Sequence, residues 1–569
     1  GSEKGGLVLL LEAVHHESGG RYAYPEGEGI RLLLRAAKGD LVHCWVFFRD
    51  PYDRESERVA PMWKWGEEDL FDYFTGMIHL PRRRYQYLFL LEGRNGRIWF
   101  NEAGFHQERP HWGDFRFPYH YPPESHRDWL DDAVVYQVIP DRFNPAPDFP
   151  SEKAKRHARA MGSLARIVDE LDYLSDLGIN ALYLNPVFKA MSRHRYDTID
   201  YFQVDPELGG EEGLLHLVEE CHARKIRVIL DGVFNHCGYQ FFAFQDVLAR
   251  GARSPYKDWF RIKDFPVRTQ PIPNYETFGR HIWQMPKLAT DNPAVQEYLA
   301  SVAVHWVKRA DIDGWRLDVA DEVAPSFWRL LRARLDRVKP ETALIGEIWH
   351  RAAPWVEKGP LDSATNYPLR EIILDFFARE RIGVQTFAAR LHSLLVQHSH
   401  PVNTRLWTIL GTHDTSRILT HCGGDVKRAA LAIIFQMTFV GVPVIYYGDE
   451  VGMLGGDPPE CRGPMIWEQS RQNHDLLSLY RLLITIRRKH EALRRGSFRV
   501  VYLDPLRPVL GCERRTHGSR VLVFFNNGPR DVKLCLDEQM LRDELSGRLV
   551  HGEELDLPGQ RAMVLVACP

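Results

Sequence analysis

The sequence predicts an α/β protein: a (β/α)8 barrel of the TIM type, with an N-terminal β-sandwich and a small C-terminal β domain. Three observations predict it. Short apolar strands alternate with amphipathic helices between residues 126 and 495, which implies a parallel sheet closed by helices. Residues 1–125 hold only strand-like runs, and residues 496–569 return to them.

The N-terminal runs are "GIRLLLRAA", "DLVHCWVFFRD", "FDYFTGMIHL" and "RYQYLFLLEG", bounded by Gly, Pro and Asp. No helical period interrupts them, so a sandwich is expected. "FPYHYPPESHRDWLDD" then reads as a linker. The barrel strands are expected in "AVVYQVIPDRF", "NALYLNPVF", "IRVILDGVFNH", "DGWRLDVA", "ALIGEIWH", "DSATNYP", "RLWTILGTHD" and "VPVIYYGDE". A helical pattern follows each; "LARIVDELDYLSDLGI" and "PAVQEYLASVAVHWVKRA" are examples. An irregular insertion, residues 237–285, separates strand three from its helix. The tail offers "FRVVYLDP", "SRVLVFFNN", "DVKLCL" and "RAMVLVAC" as strands.

Composition narrows the function classes. Of 569 residues, 44% are hydrophobic and 26% charged, which fits a folded globular chain. The formal net charge is -3, with no long basic or acidic run, so neither nucleic acid nor a membrane surface is an expected partner. The 8 Cys form no C-x-x-C pair, which points to free thiols in a reducing, cytoplasmic setting rather than disulfides or zinc.

In such a barrel the active site lies where the strands end. Polar residues gather there: Asp231 and His236 after strand three, Arg316 and Asp318 on strand four, Glu347 after strand five, His413 and Asp414 after strand seven. Strand side chains alternate between faces, so Arg316 and Asp318 share one. Three carboxylates at one mouth, Asp318, Glu347 and Asp414, suit acetal cleavage. One carboxyl protonates the leaving oxygen while another attacks carbon or activates water. Arg316 would hold Asp318 ionised, and Asp231 would pin Arg316. A metal hydrolase using His236, Asp318, Glu347 and His413 as ligands is the competing chemistry, but Arg316 beside the central carboxylate opposes a cation.

These segments resemble the α-amylase family, glycoside hydrolase family 13. "DGVFNH" (231–236), "GWRLDVADE" (314–322), "GEIWH" (346–350) and "LGTHD" (410–414) match its four signature regions in order. The resemblance implies Asp318 as nucleophile, Glu347 as general acid/base and Asp414 as the third carboxylate. It implies Arg316, His236 and His413 around the same sugar ring, and Tyr196 in "HRYDTIDYF" as its aromatic platform. "MPKL" (285–288) and the N-terminal β domain resemble the cyclomaltodextrinase, neopullulanase and maltogenic amylase group. That likeness implies cyclodextrins and short α-glucan oligosaccharides as substrates, a homodimer, and an acceptor side near Asp321–Glu322 and Trp355. Transglycosylation and α-1,6 cleavage are expected alongside hydrolysis. The alternatives are a transglycosylase or isomerase acting on maltooligosaccharides or sucrose, and a non-catalytic carbohydrate-binding or partner protein.

One departure stands out. After "PDRF" the group carries a Gly- and Asn/Asp-rich calcium loop. Here "NPAPDFPSEKAKRHARAMGS" offers only Asn144 and Asp148, and Met161-Gly162-Ser163 replaces Gly-Gly-Asp. Calcium wants several oxygens, so no metal and no other cofactor is expected.

Overall fold

The computed structural model describes residues 9–117, 126–145, 162–357, 359–537 and 540–568. They form two compact units: Gly1–Ser125 with Ile382–Asn403 and Ser497–Arg514, and His126–Arg381 with Thr404–Gly496 and Arg515–Pro569.

In the first unit the strand runs make a nine-stranded antiparallel sheet that folds over on itself. The 15-residue strand Asp53–Glu67 makes the corner. Its first part pairs with Leu41–Asp50 and its last part with Phe71–Ile78. Alternate residues of each strand point inward, so Leu32, Leu34, Val46, Phe48, Phe89 and Leu91 fill the core. Helix Val384–Leu395 packs beside the corner strand, where Nδ1 of His392 lies 2.9 Å from the Glu67 carbonyl.

The second unit holds the barrel. Its strands are β1 (Val135–Val138), β2 (Ala181–Leu184), β3 (Arg227–Gly232), β4 (Gly314–Leu317), β5 (Ala343–Gly346), β6 (Ser363–Ala364), β7 (Trp407–Ile409) and β8 (Val442–Tyr446). All pairings are parallel, in the order β6-β5-β4-β3-β2-β1-β8-β7. A bridge between Thr365 and Trp407 closes the ring. Because helices cover the outside, the strands are buried on both faces and read as unbroken apolar runs. Tyr183, Ile229, Ile345, Trp407, Ile409 and Val444 fill the interior.

Local chemistry sets the strand ends. Expected strand one stops at Val138, because Pro140 opens a helical turn, Pro140–Phe143, where its fixed φ suits the first helical position. The insertion is less irregular than expected, since Phe242–Arg250 forms a helix within it. Helix α1 (Pro293–Ala310), which precedes β4, is capped by the Asn292 side chain and ends on basic Lys308 and Arg309, as the helix dipole favours. In the tail, Arg520–Asn526, Arg561–Ala567, Met540–Asp543 and Leu549–His551 pair antiparallel as neighbours. No helix among the described residues is long and apolar enough to cross a membrane.

Candidate active site

Arg316 is the hub of the barrel mouth. It points inward from β4, almost wholly buried. One guanidinium nitrogen, Nη1, donates to Asp318 Oδ1 at 2.8 Å and to Asp231 Oδ1 at 3.1 Å. The other, Nη2, lies 3.0 Å from Glu347 Oε2. A planar fork with several donors suits this three-way contact, which a lysine could not make. Asp318 follows the last strand residue, and its amide still bonds to the Gly232 carbonyl of β3 at 3.0 Å.

Asp231 is fixed from below by two phenols. Tyr183 and Tyr196 donate to its Oδ2 at 2.6 and 2.7 Å. Burial raises its pKa against the pull of Arg316 and the two hydroxyls.

Asp318 and Glu347 are held on the two terminal nitrogens of the same guanidinium. Burial drives Asp318 upward, the facing Glu347 adds to this, and Arg316 opposes both. Burial would also raise Glu347, but Arg316 and its hydrogen-bond partners hold it below its usual range. Glu347 accepts from the Trp349 indole at 2.7 Å and from the Val319 amide at 3.1 Å. The charge on each carboxyl therefore bears on the titration of the other.

Val319 takes φ 46° and ψ 48°, a left-handed conformation that is an outlier for a β-branched residue. The turn aims two successive amides at one residue: Val319 N–H meets the Glu347 side chain, and Ala320 N–H meets the Glu347 carbonyl at 3.2 Å. Nucleophile and acid candidates are thus tied together through backbone.

The third carboxylate is set by its neighbours. His413 Nδ1 accepts from the Gln137 amide at 2.9 Å, which leaves the proton on Nε2. That nitrogen faces Asp414 Oδ2 at 3.1 Å and the Tyr196 hydroxyl at 2.8 Å. Arg462 donates to Asp414 Oδ1 at 3.0 Å and to the His413 carbonyl at 2.7 Å. Although Asp414 is largely buried, His413, Arg316 and Arg462 keep it well below the usual carboxylate range. The Tyr196 ring lies parallel to His413, with centroids 5.4 Å apart and 6° between planes.

His236 has a supporting place. It is fully buried, stacks on Phe278 at 4.6 Å, and its Nε2 bonds to the Tyr196 carbonyl at 2.9 Å. Burial pushes its pKa down to about 4. Eight of the ten residues expected at the site therefore form one connected network. Glu322 and Trp355 lie in other contacts. Glu322 accepts from Lys287 of "MPKL" at 3.2 Å, and Trp355 meets the His350 ring edge-on at 5.6 Å. His350 in turn lies 2.9 Å from Asp321.

The structure adds Gln137, Tyr183, Trp349, Tyr367 and Arg462. Trp349 is half exposed and lies flat on Tyr367, with centroids 3.7 Å apart. Its place two residues after Glu347 in "GEIWH" was the available signal. Arg462 had none, because it comes from a loop 48 residues beyond Asp414.

Comparison with known proteins gives the family. The alpha amylase catalytic domain model matches residues 137–480, and the alpha amylase N-terminal ig-like domain model matches 9–121. The chain belongs to the α-amylase family and is a glycoside hydrolase of that family. It is 42% identical over 549 residues to a cyclomaltodextrinase of Thermoanaerobacter pseudethanolicus, covering 93% of this chain and 95% of that one. It is also 42% identical over 567 residues to neopullulanase 2 of Thermoactinomyces vulgaris, with 96% and 97% covered. A solved cyclomaltodextrinase structure superposes with a TM-score of 0.90 at 34% identity, covering 98% of this chain and 100% of that one.

Proposed function

We propose that this protein is a retaining hydrolase of cyclodextrins and short α-1,4-glucans. The observation that carries the reading is the meeting of Asp318 and Glu347 around Arg316. Carboxyls gripped by the two terminal nitrogens of one guanidinium suit the short separation of retaining sites, roughly 5–5.5 Å, rather than the roughly 6.5–9.5 Å of inverting ones. Relatives named cyclomaltodextrinase, neopullulanase and maltogenic alpha-amylase support the substrate class.

In the first step an Asp318 oxygen attacks the anomeric carbon, and the bond from that carbon to the leaving oxygen breaks. Glu347 gives its proton to that oxygen. A sugar oxygen lodged against Glu347 offers its proton a basic partner. In the second step water, or a sugar hydroxyl, attacks the same carbon. It gives its proton to Glu347, and the ester to Asp318 breaks. Asp414, ionised by its cationic neighbours, holds sugar hydroxyls and offsets positive charge as it develops on the ring. Tyr196 and His413 form the wall beside that ring. Transfer to sugars and α-1,6 cleavage belong to the same ester chemistry.

The decisive test is the anomer first released from cyclodextrin, read by proton NMR. The α anomer is expected; a β product overturns the mechanism. Asp318→Asn and Glu347→Gln should each abolish turnover while the fold, followed by circular dichroism, persists.

The calcium site of the group is absent in this reading. Residues 146–161 of that loop, with Asp148 and Met161, lie outside the described residues. The described end does not fit a cation: the Asn144 carbonyl accepts from the Arg166 guanidinium at 2.7 Å. A homodimer is also part of the reading. The outer face of the N-terminal sheet carries Trp45, Phe47 and Trp99 beside exposed Val59 and Trp63, an apolar patch suited to a second copy. Eight free thiols, six of them buried, accord with a cytoplasmic setting.

A further inference from the structure

Asp414 sits on a strap that leaves β7 and ends at the helical turn Ile418–His421. The strap turns tightly on itself. The Thr412 amide donates to Thr415 Oγ1 at 2.9 Å, and the Asp414 amide donates to Thr412 Oγ1 at 3.1 Å. These local bonds set the shape of the turn but not its place in the barrel mouth. Its place depends on what grips its two ends, Leu410 and Ser416.

Both ends meet one side chain. Arg370 comes from the helix Tyr367–Ile373, which follows β6, and is buried. Its Nε donates to the Leu410 carbonyl at 2.9 Å. Its Nη2 lies 3.4 Å from the Ser416 carbonyl and donates to His421 Nε2 at 3.0 Å. Nη1 donates to Glu371 Oε1 at 2.7 Å, so the buried cation keeps a counter-charge. A planar fork can span two separate carbonyls, whereas an ammonium offers its donors at a single point. Burial, Arg370 and Arg379 push His421 down to about 4, which leaves it a neutral acceptor above that pH. One turn earlier on the same helix face, the Tyr367 hydroxyl lies 3.4 Å from Thr412 Oγ1. The helix therefore touches the strap at its start, its turn and its end.

We infer that Arg370 is a positioning residue for Asp414: one buried guanidinium holds both ends of the strap that presents this carboxylate to the sugar. The inference rests on the reading of Asp414 as the third carboxylate of the site.

A double-mutant cycle on the full chain tests it. Initial rates on β-cyclodextrin give kcat and KM for Arg370→Gln and Arg370→Lys, each alone and combined with Asp414→Asn. A displacement of about 1 Å can cost about 10²-fold, so Arg370→Gln should lower kcat/KM at least about tenfold, with most of the loss in kcat. Arg370→Lys, which can reach one end only, should lose less. With Asp414→Asn already present, either change should cost little, because no carboxylate is left to place. A loss below about tenfold for Arg370→Gln, or an equal cost in both backgrounds, overturns the proposal and leaves Arg370 a plain stabilising residue. Should circular dichroism show the glutamine variant unfolded, the lysine pair decides by the same comparison of backgrounds. Asp414→Asn at the parental rate overturns the reading of that carboxylate itself, so the two failures are told apart.

Discussion

Replacing Arg316 with methionine tests the centre of the site. The guanidinium contacts Asp318, Asp231 and Glu347 at 2.8, 3.1 and 3.0 Å and is shielded from water. Hydrogen bonds to charged groups contribute about 1.5–3 kcal/mol each. Losing the one to Asp318 removes about 1.5–3 kcal/mol of support for its charged form, which is about 10- to 10²-fold in kcat/KM. Stability falls as well, because breaking a buried ion pair costs about 3–5 kcal/mol. The carboxyls respond by taking up protons, so the residual activity should shift to higher pH. Arg316→Lys keeps a charge but not the fork and should fall between parent and Met variant. The assay is initial rates on β-cyclodextrin from pH 5 to 9 by reducing-sugar release, alongside thermal unfolding. A Met variant within tenfold of the parent at neutral pH, with an unmoved profile, refutes the claim that this cation favours the charged form of Asp318 against burial.

Other outcomes follow from the same structure. Val319→Gly relieves the left-handed strain, so unfolding should shift upward by about 1 kcal/mol equivalent, checked by denaturant midpoints; a clear loss of stability speaks against strain there. Trp349→Phe keeps the stack on Tyr367 but removes the donor to Glu347 and so raises the pKa of the proposed acid; the alkaline limb of kcat should move to higher pH with KM little changed. Burial lowers the pKa of His16 to about 3 and of His236 to about 4. A histidine with a depressed folded pKa contributes fully above its unfolded value near 6.5 and loses that contribution as pH falls toward 3–4. Each should cost about 3–5 kcal/mol across that window, visible as a steep drop in unfolding midpoint that His16→Gln flattens for the N-terminal unit. Trp63→Ser, on the exposed sheet face, should convert dimer to monomer by light scattering without affecting the barrel's unfolding.

Much of this was legible in the chain because strand periodicity fixes direction. Arg316 and Asp318, two apart, share a face in the sequence and meet at 2.8 Å in the structure. The buried parallel strands announced themselves as apolar runs, and β6 was faint because only Ser363–Ala364 pair. What sequence could not convey is contact made across long loops. Arg462 reaches Asp414 from a segment with no motif, and Tyr183 reads as an ordinary strand aromatic until its hydroxyl meets Asp231. Val319's backbone angle is likewise invisible, since valine is the last residue to suggest a left-handed turn. The bond of His236 to the Tyr196 carbonyl is another contact that composition does not convey.

Trp349 joins two events that are usually treated apart. Its ring is half exposed, and its nitrogen donates to Glu347, the proposed acid. A sugar that shifts the ring must lengthen or break that bond, and Glu347 then grips its proton more tightly. On the proposed mechanism, a sugar resting on Trp349 would thereby be coupled to acid strength at Glu347, and by reciprocity protonation there would bear on how such a sugar is held.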